Sequence, residues 1–195
     1  MARDDPPEVK PFRLFVAVAI PDGVKAALSS GVAPFRNSIP GARWTQGHGW
    51  HVTLKFLGAT WPRLVDSVKA AVAEAAGSAE RFETRLTTIG VFPSPARARV
   101  VWVGMLDPQA RLAAIARHLE QLLAEDFDPE RREFAPHLTL ARLVPPRNIT
   151  EFAPTLVGTH IEAEPFAVDG LVLYRSHLSP QGATYEPLMV APLEG

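Results

Sequence analysis

Apolar positions along this chain come in short, dense runs separated by proline and glycine. Residues 12–20 (FRLFVAVAI) form a continuous apolar run ended by Pro21, the signature of a strand buried on both faces. Asp22 follows as a helix cap for a short helix over 23–30. A loop rich in Gly, Pro and Asn then leads to a second strand at 50–58 (WHVTLKFLG). Residues 65–76 are alanine-rich and stop at Gly77, which predicts a helix. Residues 82–91 alternate and predict a strand broken by the Pro-Ser-Pro turn at 93–95.

The second half repeats this rhythm. Residues 99–104 (RVVWVG) predict a strand. Leu112, Ile115, Leu119, Leu122 and Leu123 recur at helical spacing within 109–125. Residues 134–143 (FAPHLTLARL), 166–174 and 184–190 predict three more strands. Each half thus supplies strands, one long helix and one His-x-Thr strand, which suggests a diverged internal duplication. Strands and helices interleave across short turns, so the expected class is α+β with antiparallel-rich sheets rather than a doubly wound parallel sheet.

Composition narrows the chemistry. The 195 residues include no cysteine, which removes disulfides, thiolate metal sites and cysteine nucleophiles. A reducing, cytoplasmic setting is the expectation. No apolar run is long enough for a membrane helix, and residues 1–10, acidic with Pro6 and Pro7, read as a disordered leader rather than a signal peptide. The formal net charge is −1. A protein that wraps long nucleic acid carries a basic excess, so any contact with RNA is expected at a short segment or an end.

The feature that carries chemistry is a repeated tetrapeptide. His51-Val52-Thr53-Leu54 and His137-Leu138-Thr139-Leu140 stand 86 residues apart, close to half the chain. On a strand, His and Thr two positions apart share a face, about 7 Å from one another, while the apolar residues between them enter the opposite face. Two such strands facing each other bring two imidazoles and two hydroxyls to one pocket. The hydroxyls can donate to phosphate oxygens, and the imidazoles can divide acid and base roles near neutral pH. One HxT is worthless as evidence, but two in apolar strands at this spacing are not. No cofactor is implied, and no histidine stands at ligand spacing from another or from a carboxylate, so a metal centre is not expected.

The chain resembles the 2H phosphoesterases, most closely the LigT-like RNA 2′,3′-cyclic phosphodiesterases. The resemblance runs through Arg13-Leu14-Phe15-Val16-Ala17, Trp44, the stretch His51 to Gly58, residues 99–104, residues 134–142, Leu173-Tyr174-Arg175-Ser176 and residues 182–188. It implies a bilobal α+β fold with pseudo-twofold symmetry, two antiparallel-rich sheets flanking a central cleft, and helices outside. One bilobal domain over 11–195 is expected, its lobes built from roughly 11–95 and 96–195. The implied activity is metal-independent hydrolysis of an RNA-terminal 2′,3′-cyclic phosphate to a 2′-phosphomonoester, with the reverse 2′-5′ ligation allowed. The implied partners are RNA 3′ ends or nucleotides bearing that group; a monomer with no membrane or protein partner is the expectation. By family pattern His51 is the general acid and His137 the general base, although the two motifs are too symmetric to decide this from residues.

The resemblance also marks Arg142 as a phosphate contact, alongside Thr53 and Thr139. Strand parity disagrees, since 142 is out of phase with 137 and 139, unless a bulge intervenes. Lys55 shares parity with His51 and Thr53 and is a candidate for the cleft. Phe15, Trp44, Trp50 and Phe134 are candidates for stacking a base, with core packing as the plainer alternative. A metal hydrolase, and a non-catalytic module that only holds RNA ends or nucleotides, are the rival readings.

Overall fold

The computed structural model describes residues 10–180 and 182–195. The expected leader therefore lies, apart from Lys10, outside the described residues. The strands are β1 (Phe12–Ala19), β2 (Ala42–Trp44), β3 (His51–Thr60), β4 (Phe82–Thr84), β5 (Leu86–Phe92), β6 (Ala98–Met105), β7 (His137–Arg147), β8 (Phe166–Val168), β9 (Gly170–Ser179) and β10 (Gly182–Pro192). The α-helices are α1 (Asp22–Val32), α2 (Val65–Gly77), α3 (Arg111–Leu122) and a single turn, α4 (Ala153–Leu156).

Eight strands form one sheet. Seven follow the order β10-β9-β1-β3-β7-β6-β5, β2 also pairs with β7, and β4 pairs with β8 in a separate ribbon. Every strand pairing within these sheets is antiparallel. The path has a seam. Between β3 and β7 only Val52 and Leu138 are in register, so two four-stranded halves meet at the two His-x-Thr strands.

The halves do not follow the chain division at residue 95. Strands β9 and β10, from the C-terminal end, lie beside β1 and β3. The reason is β1: residues 14–18 are all buried, so its two edges and two faces need cover, and β3 and β9 supply the edges. The alternating run at 82–91 is likewise two strands, because β4 leaves at Arg85 to pair with β8.

Helices α2 and α3 pack against the sheet and against each other. Helix α2 buries Val68, Ala71, Val72, Ala75 and Ala76, and packs against β9 and β10. Helix α3 buries Leu112, Ile115, Ala116 and Leu119, and packs against β3 and α2. It starts at Arg111 because the Asp107 carboxylate accepts from the N–H groups of Arg111, Leu112 and Ala113, at 2.7, 3.2 and 3.2 Å. Asp22 does not cap α1. It is the helix's first residue and pairs with Lys25 at 3.2 Å. No helix among the described residues is long and apolar enough to cross a membrane.

Candidate active site

The seam between β3 and β7 is where the two tetrapeptides meet. Val52 and Leu138 face each other across it and are fully buried, as are Leu140 and, nearly so, Leu54. His51, Thr53, His137 and Thr139 are half-buried on the opposite side. They line one cavity of about 70 Å³ with Thr45, Gly49, Arg142 and Tyr185.

Each strand carries a β-bulge at the last residue of its tetrapeptide. In β3 the partners step from Val16↔Lys55 to Ala17↔Thr53, leaving Leu54 over. In β7 they step from Val101↔Ala141 to Trp102↔Thr139, leaving Leu140 over. Two consecutive residues are therefore buried in each strand, Leu54 with Lys55 and Leu140 with Ala141, and the side-chain phase flips beyond them. The flip brings Arg142 onto the cleft side, against simple alternation. It also takes Lys55 away. Lys55 is 2% exposed, and its Nζ donates to Glu120 of α3 at 2.8 Å and to the Asp128 carbonyl at 3.0 Å. It is a buried tie between β3 and the helix layer and not a cleft residue.

The two imidazoles are held by the same device. His51 Nδ1 donates to the Gly49 carbonyl at 2.7 Å, and His137 Nδ1 donates to the Ala135 carbonyl at 2.7 Å. A carbonyl can only accept, so each neutral ring carries its proton on Nδ1 and leaves Nε2 for chemistry. Their surroundings differ. His51 stacks on Phe15, with ring centroids 4.6 Å apart, and meets Tyr185 edge-on at 5.0 Å. His137 meets Phe92 edge-on at 5.3 Å and Trp102 at 6.3 Å. Burial pushes the His51 imidazole down to about 4. The hydrogen bond to the Gly49 carbonyl opposes this, and the nearby Arg142 guanidinium adds to it.

The aromatic residues sit differently from the stacking expectation. Phe15 is 2% exposed and forms the floor under His51, so no base can reach its face. Trp50 is 3% exposed and belongs to the core, with its indole N–H donated to the Thr45 hydroxyl at 2.8 Å. Phe134 and Trp44 are partly buried against the core and do not line the cavity. Three contributors were not singled out as site residues, although Trp102 and Tyr185 lie in stretches that carry the family resemblance. Thr45 donates its hydroxyl to the Thr139 or Leu140 carbonyl at 3.0 and 2.9 Å, and so ties the loop before His51 to β7. Tyr185 closes the cavity wall, and Trp102 buttresses His137. All three are placed by long-range pairing rather than by local pattern.

The arrangement offers two Nε2 atoms, two threonine hydroxyls and one guanidinium around a space suited to a small anion. Among the described residues, no group of three or more His, Asp or Glu side chains is placed to hold a metal ion. A larger groove of about 470 Å³ lies between α2 and α3; Ser78, Glu80, Arg111 and His118 line it together with three alanines, Phe82 and Ile115, and it holds one imidazole rather than a pair.

The chain is similar to known proteins over most of its length. Residues 24–180 match the family model described as the 2′-5′ RNA ligase superfamily. The chain is similar to the RNA 2′,3′-cyclic phosphodiesterase of Methanothermobacter thermautotrophicus, with 30% identity over 181 residues, 91% of this chain and 97% of that protein. It is 35% identical to the RNA 2′,3′-cyclic phosphodiesterase of Aeropyrum pernix over 73% of this chain and 81% of that one. Among solved structures, TT0787 of Thermus thermophilus superposes with a TM-score of 0.77 at 31% identity, covering 94% of this chain and 98% of that one. Escherichia coli LigT complexed with 3′-AMP shares the fold, with a TM-score of 0.79 at 24% identity, over 95% of this chain and 99% of that one.

Proposed function

Because this chain belongs to the 2′-5′ RNA ligase superfamily, we propose that it hydrolyses the 2′,3′-cyclic phosphate at an RNA 3′ end to a 2′-phosphomonoester, using His51 and His137 as an acid–base pair. One observation carries the reading: two imidazoles, each with Nδ1 engaged by a backbone carbonyl, share one cavity with two threonines and an arginine. The fused ring exists only where a ribose 2′-oxygen is available, so the chemistry selects RNA over DNA.

In this mechanism the cyclic phosphate enters as a monoanion. Thr53 and Thr139 donate to its non-bridging oxygens, and the Arg142 guanidinium offsets the charge that grows at phosphorus. His137 Nε2 takes a proton from the attacking water. His51 Nε2–H gives a proton to the departing O3′, and the P–O3′ bond breaks while the P–O2′ bond stays. His51 is depressed to about 4 in the free protein, so it must gain its proton together with the substrate. A bound anion favours the imidazolium, which makes the substrate its own activator. With a 5′-hydroxyl in place of water as the nucleophile, the same displacement would join it to the cyclic phosphate through a 2′-5′ linkage, the P–O3′ bond again breaking.

The test is incubation of the purified protein, in EDTA, with a short oligoribonucleotide ending in 2′,3′-cyclic phosphate. The expected product is the 2′-phosphate, and His51→Ala or His137→Ala should each lower kcat by about 10²–10⁴, the range for one general acid or base. A 3′-phosphate product, activity in either variant within about tenfold of wild type, or loss in EDTA restored by metal would overturn the reading. A protein that only held RNA ends would bind the oligonucleotide and leave it unchanged.

A further inference from the structure

Strand β2 is three residues long and serves one strand, β7. Its register places Ala42 across from Leu143, Arg43 across from Arg142, and Trp44 across from Ala141. Ala42 and Trp44 pack partly buried against the core. By alternation Arg43 takes the other side, and directly opposed residues of antiparallel strands project together, with Cβ atoms about 4.5–5.5 Å apart. Arg43 therefore stands next to Arg142 at the end of the cleft, and both are exposed.

Two like charges directly opposed across a ladder are destabilising, and no ion pair among the described residues relieves them. The ion pairs among the described residues join Lys25 to Asp22, Lys55 to Glu120, His160 to Glu162 and His177 to Glu186. Neither guanidinium has a carboxylate partner within that set. In a chain with a formal net charge of −1, an unneutralised arginine pair at the mouth of a phosphate-sized cavity marks a place for anions. The cavity itself takes one. Arg142 lines it, whereas Arg43 does not.

We propose that Arg43 is a second phosphate subsite, which holds the phosphodiester on the 5′ side of the nucleotide whose cyclic phosphate lies at Arg142. This rests on the phosphodiesterase reading above. Successive phosphates of one strand are a linked pair of single charges, and two guanidiniums on neighbouring strands are their counterpart. The favoured substrate is then an RNA 3′ end of two or more nucleotides rather than a mononucleotide. The contact is short, as a nearly neutral protein requires.

The experiment compares wild type, Arg43→Gln and Arg43→Lys on two substrates: a nucleoside 2′,3′-cyclic phosphate with a free 5′-hydroxyl, and a dinucleotide ending in the same cyclic phosphate. Wild type should prefer the dinucleotide. In Arg43→Gln the ratio of the two kcat/KM values should fall by about tenfold, through KM of the dinucleotide, as expected for one lost charge-assisted contact. The log–log salt dependence of dinucleotide KM should lose a slope of about 0.7, the value for one phosphate contact on a single strand, and Arg43→Lys should keep it. Equal loss on both substrates would make Arg43 an accessory to the reacting phosphate and overturn the proposal. An unchanged ratio would leave Arg43 a solvated surface charge and overturn it too. Titration with a dinucleotide 3′-phosphate and a nucleoside 3′-phosphate separates this from the activity. If wild type turns over neither cyclic substrate, the phosphodiesterase reading fails, while an Arg43-dependent preference in binding would still report the subsite.

Discussion

The depressed titration of His51 has a measurable consequence for both stability and catalysis. Burial among Phe15, Tyr174 and Tyr185 takes its imidazole from 6.5 to about 4. At about 1.4 kcal/mol per unit, charging this ring in the folded chain costs on the order of 3 kcal/mol more than in the unfolded chain. Between the two values the unfolded chain binds a proton that the folded chain refuses. Stability therefore rises with pH across this window, is complete above 6.5 and is lost as pH falls toward 4. His51→Gln removes this titration and keeps a polar side chain. The unfolding free energy of wild type minus that of His51→Gln, from urea melts, should fall by on the order of 3 kcal/mol between neutrality and pH of about 4. Proton NMR of the ring should give the low value directly in the free protein, and an upward shift when inorganic phosphate is added. A ring that titrates near 6.5 without ligand, or a free-energy difference independent of pH, would refute the reasoning. Kinetics test the role as well. The pH dependence of kcat/KM reports the free enzyme and that of kcat the complex. Because a charged acid and a neutral base are both needed, both profiles should be bell-shaped, with one limb of kcat/KM near 4 and that limb displaced upward in kcat. A kcat/KM profile with no limb near 4 would refute the depressed value.

Two further expectations concern the supports of the site. Lys55→Ala should destabilise the protein by about 3–5 kcal/mol, because it leaves Glu120 without its partner and empties buried volume. Lys55→Met, which keeps the stem, should recover most of that loss, and both should retain kcat within about threefold, far less than the ~10²–10⁴ of a lost acid or base. Urea melts and steady-state kinetics check this, and a folded Lys55→Met variant with catalysis reduced a hundredfold would return Lys55 to the cleft. Gly90 is the cross-strand partner of Trp102, and a Cβ there would overlap the indole ring. Gly90→Ala should thus cost about 1–3 kcal/mol by overpacking and lower kcat through displacement of the Trp102 buttress from His137. Wild-type stability together with wild-type kcat would show that the indole is free to move.

What the residues disclosed and what they hid follows from the range of each interaction. The tetrapeptides, their dry faces and the α+β class were legible, because period-2 alternation and turn residues are local. Most element positions were legible too, to within a few residues. The bulges were not. Leu54-Lys55 and Leu140-Ala141 continue a plausible alternation on paper, and only the ladder to β1 or β6 shows that one residue is extra. For that reason Lys55 read as a cleft residue while Arg142, which family resemblance marked, read as out of phase. Lys55 is tolerable inside only because Glu120, in the other half of the chain, arrives to meet it. The equal halves were misleading in the same way. Their rhythm is in the sequence, but the return of β9 and β10 to β1 is a choice of partner at long range.

Two nearly identical tetrapeptides, carried on strands with the same bulge and holding their histidines by the same backbone contact, ought to yield two equivalent imidazoles. Acid–base catalysis needs them to differ. The difference comes from residues outside the motifs. Beyond the bulge, β3 places Phe56 where β7 places Arg142, so charge enters the cavity from one side only. The Phe56 ring is covered instead by the Arg13 guanidinium, 4.5 Å from its centroid. The walls differ in the same sense. Phe15, Tyr174 and Tyr185 close around His51, while Phe92 and Trp102 flank His137. The two matched strands thus supply matched geometry, as in-line displacement at one phosphorus would require under the proposed mechanism. The unmatched positions around it make the two surroundings unequal: burial pushes the His51 imidazole down to about 4, while the Arg142 guanidinium enters from β7 alone.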